Sequence, residues 1–169
     1  MIRLHLTPLT LHHDEFILTL LNTPGWLRFI GDRNIKNTAD AQAYINKITG
    51  NPILNYQVVM LKDTDLPIGI ITLIKRDYLE YPDFGFAFLP EYGKMGYAFE
   101  AASYVLSGLS AAKKTSRVLA ILLAENVASV ALLLKLGFVW EGHTIDKDGG
   151  ERLEIYAFEL TGEFMVDGS

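Results

Sequence analysis

Pro90-Glu91-Tyr92-Gly93-Lys94-Met95-Gly96-Tyr97-Ala98-Phe99-Glu100-Ala101-Ala102 follows directly on the apolar run Phe84 to Leu89. Beyond it, Ala98, Ala101, Ala102, Val105, Leu106 and Leu109 recur at helical spacing. The stretch therefore reads as strand, glycine-rich turn, amphipathic helix, the unit that sets the frame for the whole chain. Glycines at such a junction let backbone N–H groups approach an anion closely. The helix N-terminus adds unsatisfied donors and a partial positive charge. The expected ligand group is a phosphate or pyrophosphate. Strand-to-helix glycine turns occur in many folds, so the signal gains weight only with a second element.

That element is Glu125-Asn126-Val127-Ala128-Ser129-Val130-Ala131-Leu132-Leu133-Leu134-Lys135-Leu136-Gly137-Phe138. Asn126 is a good helix N-cap and Gly137 a good C-cap stop. Between them lies a short helix that is apolar nearly all round, an arrangement that predicts burial on most faces. Asn126 and Ser129 share one face near its start and offer a small polar patch. Read alone, they cap the helix and satisfy backbone groups.

Outward from these two elements the chain reads as one α/β unit. Ile2 to Leu6 alternates and ends near Pro8, as a first strand would, and His12 to Leu21 has helical spacing that stops before Pro24-Gly25. Thr38 is a plausible N-cap for a helix to about Ile48. Asn55 to Leu61 and Pro67 to Ile74 are β-branched runs around the turn Lys62-Asp63-Thr64-Asp65. Asp83 to Leu89 is a strand stopped by Pro90, and Arg117 to Leu123 is continuously apolar, as a central strand is. Phe138 to His143 and Arg152 to Leu160 suit an antiparallel pair joined through Asp146-Lys147-Asp148-Gly149-Gly150. Repeats and low-complexity tracts are absent, and Thr161 to Ser169 reads as a frayed tail.

Composition narrows the class. The 169 residues, half of them hydrophobic, suffice for a single domain with a sizeable core. No run approaches the ~20 apolar residues of a membrane span, and no basic region followed by an apolar one opens the chain. Zero cysteines exclude disulfides, thiolate metal sites and a cysteine nucleophile, and fit a cytoplasmic protein. A net charge of −5 without a basic cluster argues against nucleic-acid binding. The P-loop reading of Gly93-Lys94 fails because Met95 is neither Ser nor Thr and the required upstream glycine is missing. His5, His12, His13 and His143 lack metal-ligand spacing, so no metal is expected.

The two elements, in this order and about thirty residues apart, resemble the GNAT superfamily of N-acetyltransferases. The family's loop pattern, Q/R-x-x-G-x-G/A, maps onto Gly93-Lys94-Met95-Gly96-Tyr97-Ala98. Its N-x-x-S…L-G-F pattern maps onto Asn126, Ser129 and Leu136-Gly137-Phe138. The segments Arg3 to Leu9, Trp26 to Gly31 and Ala39 to Ile45 are similar to the RimJ/RimL-type branch. The resemblance spans roughly residues 2 to 160. Two positions depart from the pattern. Gly93 stands where Gln or Arg is usual, and Leu133 stands where many members carry a tyrosine general acid.

The resemblance implies an α/β (α+β) fold: a mixed, mostly antiparallel sheet of about seven strands, with a V-shaped gap between the fourth and fifth and about four flanking helices. It implies one acetyltransferase domain over residues 1–169 and direct transfer of an acetyl group from acetyl-CoA to a primary amine, small-molecule or peptide. Backbone groups of Phe86, Phe88 and Leu89 would pair with the pantetheine arm. One N–H there would stabilise the developing oxyanion. The loop from Gly93 through Lys94, Met95, Gly96 and Tyr97 to Ala98 would hold the pyrophosphate. Asn126 would bond the pantetheine arm, and Ser129 would sit near the sulfur. Asp83, which opens the fourth strand, is the first choice for the group that takes the amine's proton, and Glu80 the second. Asp77, Asp146 and Asp148 are further options. Trp26, Phe29 and Tyr81 would line the acceptor side. The assembly expected is a monomer or homodimer. The other reading is a GNAT-like domain that binds CoA as a sensor without turnover, which the missing tyrosine at Leu133 keeps open.

Overall fold

Alternating apolar residues lay the chain into a seven-stranded mixed sheet whose two faces are each covered by helices. The structure, a computed structural model, describes residues 1–160. The tail expected over 161–169 lies outside the described residues. In chain order the elements are β1 (Leu4–Pro8), α1 (Asp14–Leu21), α2 (Pro24–Phe29), α3 (Thr38–Thr49), β2 (Leu54–Leu61), β3 (Pro67–Ile74) and β4 (Asp83–Phe88). They continue with α4 (Tyr97–Ala112), β5 (Arg117–Leu122), α5 (Val127–Leu136), β6 (Val139–Ile145) and β7 (Arg152–Glu159). Short 3₁₀ turns at Leu11–His13 and Pro90–Tyr92 precede α1 and α4.

The strand order is β1-β2-β3-β4-β5-β7-β6. Every neighbouring pair is antiparallel except β4 and β5, which run parallel and share a single register pair, Asp83 with Leu119. There the Leu119 N–H donates to the Pro82 carbonyl at 2.9 Å. Beyond that point the strands part, and the sheet carries the expected gap between its fourth and fifth strands.

Strand alternation sends successive residues to opposite faces. Val59, Ile71 and Phe84 join Ala101, Ala102 and Leu106 of α4 and Leu133 of α5 in one core. Val58 and Ile70 join Phe16, Leu20, Trp26, Ala41 and Ile45 of the first three helices in the other. The α4 face is therefore tied to β1–β5, and the first three helices roof the start of the fork.

Several boundaries differ from the sequence expectation, each for a local reason. Among the described residues there are five α-helices where about four are expected. The additional one, α2, begins at the Pro24-Gly25 pair that reads as a break. Proline is well suited to the first helical position, and Thr23 caps it by accepting from the Trp26 N–H at 3.4 Å. The cap of α3 is Asn37, not Thr38: its Oδ1 accepts from the Asp40 N–H at 2.8 Å. β1 is shifted to Leu4–Pro8, because Pro8 lies at the end of an edge strand where its missing N–H costs little. Leu89 lies just past β4. The largest difference is α5, expected to be buried on most faces. Only Leu133 is buried, while Val127 is 71% and Leu134 55% exposed. The helix covers one side of the fork and has no layer above it. Among the described residues no helix is long and apolar enough to cross a membrane.

Candidate functional site

The fork opens because Asp83 closes it. The Asp83 side chain is buried, and its Oδ2 accepts from Arg76 Nε at 2.7 Å. The carboxylate also accepts from the backbone N–H of Ile121, across on β5. One side chain of β4 thus ties both the Arg76 loop and the facing strand at the vertex. Burial lifts the Asp83 carboxyl above the ordinary carboxylate range, while the Arg76 guanidinium and the Ile121 N–H hold it back.

Above the vertex lies a cleft of about 380 Å³. Phe84, Gly85, Phe86 and Ala87 of β4 form one wall, and Ala120 to Leu123 the other. Ladder alternation decides what β4 presents there. The Leu89 N–H donates to Ile68 at 2.9 Å, and Phe88 pairs with Gly69 and Phe86 with Ile71. Hydrogen-bonding direction alternates along an antiparallel strand, so Leu89, Ala87 and Gly85 face β3 while Phe84, Phe86 and Phe88 direct their backbone groups into the fork. Leu89, grouped with Phe86 and Phe88 on sequence, therefore has its N–H engaged with β3, and its side chain is buried in the core beneath the first three helices. The Gly85 position is tight: a Cβ there would lie 2.6 Å from Thr72 Oγ1.

Asn126, Ser129 and Leu133 reach the same cleft from α5. Asn126 Oδ1 caps the helix by accepting from the Ser129 N–H at 3.4 Å, so its amide N–H groups are not used by the cap. Leu133, one turn beyond Ser129, is 1% exposed and packed in the core, with no hydroxyl to offer. Trp26 and Phe29 of α2 line the cleft at its other end, and Asp146, Asp148 and Glu151 rim it from the turn between β6 and β7. Glu80 and Tyr81 do not line it. Glu80 is exposed, and the Tyr81 ring sits 5.3 Å from the Arg117 guanidinium. Arg117 is itself held by Glu141 and Glu159.

Phe88 leads through Leu89 and the Pro90–Tyr92 turn into the glycine loop. Gly93 donates its N–H to Pro90 at 3.0 Å, so the free donors run from Lys94 to Ala98. Lys94 has φ 60° and Gly96 φ 79°, both left-handed, and Gly96 is the N-cap of α4. The loop is clamped from the N-terminal segment. Arg3 Nη1 donates to the Met95 carbonyl at 2.9 Å, Arg3 Nε meets Glu100 at 3.1 Å, and the guanidinium lies 4.3 Å from the Tyr97 ring centre. With one exposed amide after another ahead of a 16-residue helix and no Cβ at Gly96, the loop fits a pyrophosphate.

Sequence reading misses the Arg76–Asp83 pair and the tyrosines around it. Tyr56 faces Thr72 across β2 and β3, and Ile74 faces Asp83 across β3 and β4. Register therefore brings Tyr56, Thr72 and Arg76 to one end of the cleft. The available signal is parity along β3: Thr72, Ile74 and Arg76 are two apart and share a face.

Comparison with known proteins agrees with this architecture. The family model of the acetyltransferase (GNAT) domain matches residues 3–139. The uncharacterized N-acetyltransferase YnaD of Bacillus subtilis (strain 168) is 33% identical over 103 residues, 61% of this chain. That match covers 60% of YnaD's length. A GNAT-family acetyltransferase from Bacillus anthracis superposes with a TM-score of 0.80 at 23% identity, covering 95% of this chain and 96% of that one. Spermidine N-acetyltransferase from Vibrio cholerae, in complex with CoA and spermine, gives 0.79 at 20% identity over 95% and 97%. The ribosomal-protein-S5-alanine acetyltransferase of Vibrio fischeri gives 0.77 at 17% over 94% of both chains. Identities this low carry the fold alone.

Proposed function

This chain belongs to the acetyltransferase (GNAT) domain family, and on that premise we propose that it transfers an acetyl group from acetyl-CoA directly to a primary amine. The observation that carries the reading is the continuity of one path. The free strand edge at Phe86 and Phe88, the Asn126–Ser129 patch and the donors of Lys94 to Ala98 follow each other from the fork vertex to the helix N-terminus. The family resemblance of the N-terminal segments supports a RimJ/RimL-type enzyme, and the absence of cysteine fits the cytoplasm.

When bound, acetyl-CoA supplies a thioester already reactive toward a neutral amine. The chain's residues position and polarise it. Loop N–H groups bind the pyrophosphate. The Phe86 and Phe88 edge and the Asn126 amide orient the arm along β4. A strand N–H in the fork would stabilise the carbonyl oxygen as it gains charge. The amine nitrogen bonds to the carbonyl carbon and the carbon–sulfur bond breaks. The proton leaving nitrogen passes to Asp83, directly or through water, and the sulfur gains one from Ser129 or water. A thiol pKa near 8.5 means the leaving group needs little help. Holding the two reactants together supplies much of the acceleration.

Thiol release from acetyl-CoA in the presence of a panel of amines tests this. Amine-dependent release supports it. CoA binding without release by any amine gives the sensor reading, which the buried Leu133 in the tyrosine position favours.

A further inference from the structure

The cleft does not end at α2. A second cavity of about 630 Å³ adjoins it, and the two share Arg33, Tyr44, Tyr56, Ile74 and Arg76. The polar groups of this corner are almost all donors. Trp26 is 5% exposed, and its indole Nε1 has no hydrogen-bond partner among the described residues. An indole N–H can only donate, so what satisfies it must bring an acceptor. Arg33 and Lys47 line the second cavity and form no ion pair among the described residues. The one acid lining that cavity, Asp40, already accepts the Lys36 N–H at 2.9 Å, and Arg76 is committed to Asp83. The Tyr44 hydroxyl faces Tyr56 and Arg33, and burial keeps it protonated and able to donate.

The opposite rim has the opposite character. Asp146, Asp148 and Glu151 bring carboxylates to the side of the cleft formed by the β6–β7 turn. Charge is thus separated across the acceptor end: anions on the β6–β7 turn, an orphaned donor on α2 itself, and cations in the adjoining cavity. A long polycation entering from that side would bring its charge against Arg33 and Lys47, and like charges there oppose binding. A molecule with an amino end and an oxyanion end satisfies both sides.

We propose that the acceptor is a primary amine that also carries an anionic group, a carboxylate or phosphate, bound by Trp26, Arg33 and Lys47 while the amino end lies in the fork. This rests on the N-acetyltransferase reading above and narrows its substrate. The discriminating probes are ω-amino acids, ω-amino alcohols and α,ω-diamines matched in chain length, so that only the far end differs. Thiol release with acetyl-CoA should give the highest kcat/KM for the amino acids and the lowest for the diamines. In the double variant Arg33→Gln, Lys47→Gln the ratio of amino acid to amino alcohol should fall at least about fivefold, the scale of exposed ion pairs. Both side chains are exposed, and a thermal melt checks that the variant stays folded. Titration of the same compounds onto the CoA-loaded protein, with no turnover, should show the same order. Equal or better performance of alcohols or diamines, or an unchanged ratio in the double variant, overturns the proposal and leaves the acetyltransferase reading standing. Ordered binding without thiol release from any amine overturns the acetyltransferase reading, and with it the role of acceptor, while the anion-selective corner stands.

Discussion

Asp83 answers to two demands at once. Its oxygens tie Arg76 and the Ile121 N–H at the vertex of the fork, and it is the carboxylate proposed to take the amine's proton. The Asp83→Asn variant separates the two. An amide oxygen still accepts from the Ile121 N–H, but an amide takes no proton at neutral pH. If Asp83 receives the amine's proton, kcat falls across the neutral range while CoA affinity holds. Near-normal turnover would leave Asp83 a structural clasp only. The pH profile adds a sign. Burial raises this carboxyl's pKa, so its ionised fraction, and with it the rate, declines as pH falls through that raised value. The asparagine variant should lack that limb. Ser129 makes a separate case. If its hydroxyl assists the sulfur, Ser129→Ala lowers kcat more than it lowers CoA affinity. If it only packs beside the Asn126 cap, the melting temperature moves and turnover per folded molecule does not.

Among the elements, the glycine loop depends on a residue far away in sequence. Gly96 has φ 79°, where a side chain is strained, and a Cβ there would lie 3.3 Å from Arg3 Nη2. Gly96→Val should weaken CoA at least about tenfold, roughly 1.4 kcal/mol, measured by titration. Unchanged affinity would remove the loop from the cofactor site. Arg3→Ala should weaken CoA in the same direction by releasing the Met95 carbonyl and Glu100, and Arg3→Lys should restore little, since one ammonium cannot span both partners. The loop itself was legible because glycines, a strand and helical periodicity meet there in sequence. Its clamp was not, because Arg3 and Met95 meet only through the pairing of β1 beside α4. The same division holds elsewhere. Strands β2, β3, β4 and β5 announce themselves in β-branched and apolar runs. Helix α2 hides behind a proline and glycine that also spell a turn, and α5's apolar circumference signals burial that its place beside the fork does not provide. The Asn126–Ser129 patch was readable from local spacing, whereas Arg76, Tyr44 and Arg33 join the cleft only through register and packing.

On the scale of the molecule, the sheet is two blocks, β1 to β4 and β5 with β7 and β6, paired at a single register position. Besides the Asp83–Ile121 hydrogen bond, side-chain packing joins them: the Phe84 and Phe138 rings, 6.0 Å apart, and the apolar core under α4 and α5. A cofactor lying along β4, touching Asn126 and Ser129 on the far side and ending on the loop before α4, would bridge both blocks. It would fill the fork with hydrogen bonds that the strands themselves do not make. Binding only to the folded form stabilises by RT ln(1 + [L]/Kd), about 2.7 kcal/mol at a hundredfold excess over Kd. For a domain of this size each kcal/mol moves Tm by about 2–4 °C, so CoA at that excess should raise Tm by roughly 5–10 °C. With CoA bound about tenfold more weakly, Gly96→Val should lose about half of that rise at the same CoA concentration while its melt without CoA stays cooperative. If titration shows CoA bound and the melt does not move, the ligand binds the unfolded chain as well. If Gly96→Val melts with the full shift, the pyrophosphate lies elsewhere. In that second case the path from β4 to α4 is not where the cofactor is held.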